Sequence, residues 1–238
     1  MKLEICVDTI EGARAAEAGG ADRIELCSAL SEGGLTPSAG LMRAAAALSI
    51  PVYAMIRPRS GLFHFTADEE AVMLADIAVA KAAGLAGVVL GAQGDDNRLE
   101  SAMLARLIAA AAGMGTTLHR VIDVVPDPLE ALDQAAGLGF ERVLTSGAAP
   151  EAPDGADMVA CMVERAGDRI LVMAGCGLTA GNVAGFVAQT GVPEVHAACT
   201  VLVTGEREFS DFSPVGGRMA TSTDDVRAMA EAVAVYRT

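Results

Sequence analysis

The sequence predicts an α/β fold, a single-domain (β/α)8 TIM-type barrel spanning residues 1–238, on three observations. Eight short apolar runs alternate strictly with helical stretches along the chain. Its 238 residues, 52% of them hydrophobic, match the size at which such a barrel forms one core. No Gly-x-Gly-x-x-Gly or Walker sequence opens the first crossover, where an open nucleotide-binding sheet, the competing architecture, usually carries one. Eight parallel strands also close into a cylinder that side chains can fill.

The runs, in order, are Leu3–Val7, Arg23–Cys27, Val52–Arg57, Gly87–Gly91, Thr116–Arg120, Arg142–Ser146, Ile170–Ala174 and Glu194–Ala198. Helix start signals lie between them: Thr36-Pro37, the capping-box pattern Thr66-Ala67-Asp68-Glu69, Asp127-Pro128 and Ser222-Thr223-Asp224-Asp225. No second domain, linker or low-complexity segment interrupts the alternation. The longest irregular stretch, Thr204–Thr221, contains Pro214-Val215-Gly216-Gly217-Arg218 and follows the eighth run. In a barrel it lies at the C-terminal face, as a binding loop or a subunit contact.

Composition excludes several partners. A formal charge of −14 repels a phosphate backbone, and no basic cluster with interleaved aromatics appears, so nucleic acid is not expected. No apolar run reaches the ~18 residues that span a bilayer, and strand-like sequence starts at Leu3, so no membrane partner and a cytoplasmic location are expected. Five cysteines, odd in number and without Cys-x-x-Cys spacing, resemble neither a disulfide framework nor a structural zinc site.

Strand side chains alternate, so Leu3, Ile5 and Val7 face the helices while Glu4, Cys6 and Asp8 face the barrel axis. The second run repeats this with Arg23, Glu25 and Cys27 inside. The same parity turns Tyr53, Met55 and Arg57, then Thr117 and His119, then Glu194 and His196 inward. Buried carboxylates are costly unless paired, so Glu4 and Glu25 require Arg57, His119 or a ligand. Two readings are open: a closed salt-bridge layer plugging the barrel, or a functional site near the strand C-termini.

The only lysines are Lys2 and Lys81, and neither lies at a strand end, so Schiff-base and pyridoxal mechanisms are excluded and no nucleotide or pyridoxal cofactor is expected. Three histidines, with no His-x-His on the first strand, argue against a binuclear hydrolase. Gly175-Cys176-Gly177, with Thr179 at a helix start, follows the seventh run; Gly175 and Gly177 are either a phosphate-binding loop or a plain turn.

The motifs Leu3-Glu4-Ile5-Cys6, Gly20-Ala21-Asp22-Arg23-Ile24-Glu25-Leu26-Cys27, Glu32-Gly33-Gly34-Leu35-Thr36-Pro37-Ser38, Ile56-Arg57-Pro58-Arg59, His119-Arg120-x-x-Asp123 and Arg142-Val143-Leu144-Thr145-Ser146-Gly147 span most of the chain. On these the sequence resembles the CutC copper homeostasis family. The resemblance implies a cytoplasmic barrel that self-associates as a homo-oligomer. It also implies Cu(I) held by cysteines on the first two strands, at the matching positions Cys6 and Cys27, with Met55 as a candidate third soft ligand. The sequence departs from the family pattern at Val121-Ile122, His64 and Ala197-Ala198.

Beside the copper reading stands an enzyme acting on a small anionic or sugar-like molecule. Arg57 and Arg120 would anchor the anion, Glu4 or Glu25 act as general base, and His119 with Asp123 supply or orient a proton, with His196 beside them. A third alternative is a sealed scaffold that binds a partner protein.

Overall fold

A computed structural model of the chain describes residues 1–204 and 217–237. Eight parallel strands close in sequence order: β1 (Lys2–Val7), β2 (Arg23–Leu26), β3 (Val52–Met55), β4 (Gly87–Leu90), β5 (Gly115–Leu118), β6 (Arg142–Thr145), β7 (Leu171–Gly175) and β8 (Glu194–Ala197), which pairs back to β1. Helices α1 (Ile10–Gly19), α2 (Ala39–Ala45), α3 (Ala67–Ala83), α4 (Ser101–Ala110), α5 (Pro128–Leu138), α6 (Ala156–Ala166) and α7 (Val183–Thr190) connect them, and α8 (Thr223–Ala232) follows.

Local chemistry sets these boundaries. Thr9 accepts from the Gly12 amide to start α1; Thr66 and Glu69 form the expected capping box on α3; Asp127 accepts from the Leu129 and Glu130 amides ahead of Pro128; and Ser222 caps α8. The main core lies between sheet and helices, where Leu3, Ile5, Val7, Ile24 and Leu26 are fully buried, as the alternation requires. No helix among the described residues is long and apolar enough to cross a membrane.

Two expectations need correction. The third and fifth strands end at Met55 and Leu118, earlier than expected: Arg57 lies beyond β3, and Arg120–Val124 forms a 3-10 turn capped by His119, whose Nδ1 accepts from the Val121 amide at 3.1 Å. The stretch after β8 is not wholly irregular. Strands β9 (Thr200–Thr204) and β10 (Gly217–Thr221) pair as an antiparallel ribbon outside the barrel; Pro214-Val215-Gly216 lie outside the described residues.

The lower half of the barrel interior is a charged layer. Arg23 bridges Glu4 and, at 2.5 Å, Glu194; Arg142 bridges Glu194 at 3.1 Å and also pairs with Glu141. The Tyr53 ring lies 5.3 Å from the Arg23 guanidinium and 5.0 Å from that of Arg142, and its hydroxyl donates to Glu141 at 3.0 Å. That ring fits only because β4 and β5 offer glycine opposite it: a Cβ at Gly87 would stand 2.2 Å from Tyr53 Cε1, and one at Gly115 2.0 Å from its hydroxyl. Arg57 and His119 take no part. The expectation that they compensate Glu4 is therefore corrected: Arg23 and His196 do so, because they lie level with Glu4 in the strand register while Arg57 sits beyond its strand.

Candidate functional site

Above the charged layer the barrel opens into a cavity of about 400 Å³ at the C-terminal mouth. Its lining includes Cys6, Glu25 and His196 from strands β1, β2 and β8, and Arg57, Phe63, His119, Arg120, Leu144, Gly175 and Gly177 from strand ends and loops. The sealed-barrel reading thus holds for the lower half only.

Register explains which groups meet. Glu4 lies opposite Arg23 on β2 and opposite His196 on β8, and Cys6 lies opposite Glu25. One ligand atom each from Cys6, Glu25 and His196 lie within 4.8 Å of one another, and all three residues are buried. Cys27 lies two residues beyond Glu25, just past the end of β2, so the matched triplets Glu4-Ile5-Cys6 and Glu25-Leu26-Cys27 are offset by one interior step. Its fully buried sulfur packs among Tyr53, Met55 and Val89 and donates to Glu25 Oε2 at 3.6 Å.

The electrostatics follow from these contacts. Burial works to raise the Glu4 carboxyl, but the Arg23 guanidinium and His196 outweigh it and hold it at about 2. Burial works to lower His196, yet the Cys6, Glu25 and Glu4 side chains carry it well above its ordinary value. Its Nδ1 lies 2.9 Å from Glu4 Oε1, which directs the other nitrogen, Nε2, to within 3.8 Å of Glu25 Oε2. Glu25 is pushed up to about 6, chiefly by burial and also by the Glu4 charge, and its Oε1 has no hydrogen-bond partner among the described residues. Burial and the adjacent Glu25 push the Cys27 thiol well up, so it remains a protonated donor.

Other anticipated residues do different work. Asp123 accepts from Thr145 Oγ1 at 2.5 Å, from the Ser146 and Ala148 amides, and from Arg120 Nε at 2.8 Å. It clamps the loop after β6. No hydrogen bond joins it to His119 among the described residues, so the expected proton-orienting pair does not form. Burial and the Arg57 charge push His119 down to about 3, leaving it neutral. Arg120 reaches the cavity but is anchored to Asp123 and Ser146. Gly175 and Gly177 line the mouth, and close packing accounts for both: a Cβ would meet Leu144 at 2.9 Å or Glu151 at 2.7 Å.

Sequence reasoning missed Arg142, which the inward parity of β6 could have revealed, and Phe63, whose loop carries no periodic signal. It also missed Cys176 and Cys199, which line the mouth at φ 78° and 48°, a left-handed backbone that glycine normally occupies.

Comparison with known proteins accords with this geometry. The CutC family profile matches residues 1–201. A CutC family protein of Sinorhizobium medicae (strain WSM419) is 53% identical over 198 residues, covering 83% of this chain and 81% of the relative. One from Caulobacter vibrioides (strain NA1000 / CB15N) is 49% identical over 236 residues, covering 99% and 96%. The crystal structure of a CutC from Streptococcus agalactiae, whose name proposes a role in copper homeostasis, superposes with a TM-score of 0.79 at 31% identity over 83% of this chain and 98% of that one. Thiamine phosphate pyrophosphorylase from Pyrococcus furiosus, at 16% identity and a TM-score of 0.64 over 100% and 97% of the two chains, shares the fold alone. Matched by the family profile through all eight barrel strands and about half identical to these relatives, the chain belongs to the CutC family.

Proposed function

We propose that this protein serves copper homeostasis by holding a copper ion on Cys6 and His196 at the floor of the barrel mouth, with Glu25 beside them. The observation that carries the reading is the clustering of three ligand atoms of these residues within 4.8 Å. Their chemistry fits: a thiolate and an imidazole suit Cu(I), whereas a carboxylate is a harder and weaker third partner. The Glu4 carboxylate fixes His196 through Nδ1, as a carboxylate behind a metal-binding imidazole commonly does. The unpartnered Glu25 Oε1 marks a polar group that the fold itself leaves unsatisfied. Cys27 acts through its hydrogen bond to Glu25, and the cysteine pair implied by the family resemblance thereby becomes one ligand and one supporting donor.

Anaerobic Cu(I) titration against a competing chelator tests this reading. Cys6→Ser and His196→Gln are expected to weaken binding by about 100-fold or more, and Glu4→Gln and Cys27→Ser by roughly 10-fold to 100-fold, as loss of a hydrogen-bond partner behind a ligand does. Equal affinity in the wild type and Cys6→Ser would sink it. Copies of the chain are further proposed to associate through the β9–β10 ribbon, a surface supported by the exposure of Val201, Leu202, Val203 and Met219.

A further inference from the structure

The cavity is far larger than a metal ion requires. At about 400 Å³ it falls in the range of small-molecule pockets, roughly 300 to 1,000 Å³. The copper reading uses its floor and leaves its wall unexplained.

That wall holds a buried positive charge that no carboxylate pairs directly among the described residues; the Glu32 charge acts on it only from beyond ion-pair distance. Arg57 is 7% exposed. Its Nη1 donates to the Glu32 and Gly34 carbonyls at 2.8 and 3.2 Å, and its Nη2 to the Gly61 carbonyl at 3.0 Å. Carbonyl dipoles orient the guanidinium but do not neutralise it, and it forms no ion pair with a carboxylate among the described residues. Its Nε has no acceptor among the described residues.

His119 offers a second orphan. Because its Nδ1 accepts from the Val121 amide, its proton resides on Nε2, and that N–H also lacks an acceptor among the described residues. The two residues are neighbours across one ring: Phe63 lies 4.7 Å from the imidazole and 5.0 Å from the guanidinium. Two unsatisfied N–H donors beside one unneutralised cation are expensive in a buried site unless an anionic acceptor completes them. A single guanidinium with a neutral imidazole matches one negative charge, and the acidic Glu25 at the floor disfavours a second. Leu144 and Leu178 add apolar wall to the same cavity that Phe63 lines.

We propose that the barrel mouth binds a small organic monocarboxylate, whose oxygens accept from Arg57 and His119 while its apolar body packs against Phe63, Leu144 and Leu178. The site goes beyond the copper reading and requires neither Cys6 nor His196, so either can fail without the other.

The test uses the full-length protein treated with a chelator, titrated with benzoate, hexanoate and 3-phenylpropionate, with benzamide, hexanamide and inorganic phosphate as comparators. Saturable binding of at least one acid is expected, weaker by about tenfold or more for its amide and in Arg57→Gln, as loss of a charge-assisted hydrogen bond implies. Leu144→Trp, which fills the cavity while leaving the guanidinium in place, is expected to weaken it likewise. Nuclear Overhauser contacts from the bound acid to the Phe63 ring of the wild-type protein place the ligand without relying on any variant. Absence of saturable binding by all three acids, equal binding of the amides, contacts away from Phe63, or tighter binding of phosphate than of every acid would each overturn the proposal.

Discussion

A single histidine shows how burial sets chemistry in this protein. His119 packs against the Phe63 ring that the Arg57 guanidinium also approaches, and burial with that charge holds it at about 3, below its ordinary 6.5. A depressed native value means that the folded state resists the proton that the unfolded chain accepts. The resulting stability is fully present above about 6.5 and is lost as pH falls from there towards 3. At pH 5 the cost relative to pH 8 is about 2 kcal/mol. Chemical denaturation across this range should therefore show a shallower acid decline in His119→Gln than in the wild type, and parallel curves would refute the assignment. His196 acts in the opposite sense: its raised value gives stability present below its ordinary range and lost as pH rises. The inward direction of both histidines was legible from strand parity, but their opposite electrostatics were not. Neighbours from other strands set those: Cys6, Glu25 and Glu4 for one, Arg57 for the other.

Among the elements, the strands carry the clearest sequence message and the least expected consequence. Period-two alternation turns Arg23, Arg142 and Glu194 inward, and closing the barrel brings them into one layer with Glu4 and Tyr53. Glu194 on β8 accepts from both guanidinia, so it is the shared partner of two buried cations. Glu194→Gln removes the only charge on that side chain and leaves Arg142 to the half-exposed Glu141. The expected loss is roughly 3 to 5 kcal/mol in denaturant unfolding, the usual cost of stripping one partner from a buried pair. A change below about 1 kcal/mol would mean that solvent already screens the layer. Helix starts were legible too, because caps are local: Thr66, Asp127 and Ser222 each bond an amide two or three residues ahead. The ribbon β9–β10 was not, since its pairing joins Thr200–Thr204 to Gly217–Thr221, segments separated in sequence, and encloses no core that would impose a clear pattern.

For the whole molecule, the ribbon is the feature that a lone barrel does not explain. Leu202 lies opposite Met219 on one face, while Val201 and Val203 occupy the other, and all four are between 43% and 48% exposed. A two-stranded ribbon is marginal in water by itself, and apolar groups on both faces gain by meeting a second copy. Light scattering of Leu202→Asp with Met219→Asp should give a smaller mass than the wild type, with the barrel intact by circular dichroism. An unchanged mass would refute the proposed contact. The sequence by itself determined that eight strands alternate with helices and that Glu4, Cys6, Arg23, Glu25 and His196 face inward, because both follow from short-range periodicity. The tertiary structure alone decided that Cys6 stands level with Glu25 rather than Cys27, that Arg23 rather than Arg57 neutralises Glu4, and that the mouth stays open above the charged layer. Closing a barrel staggers each strand against the next, and that stagger depends on all eight strands together, so no segment of sequence encodes it.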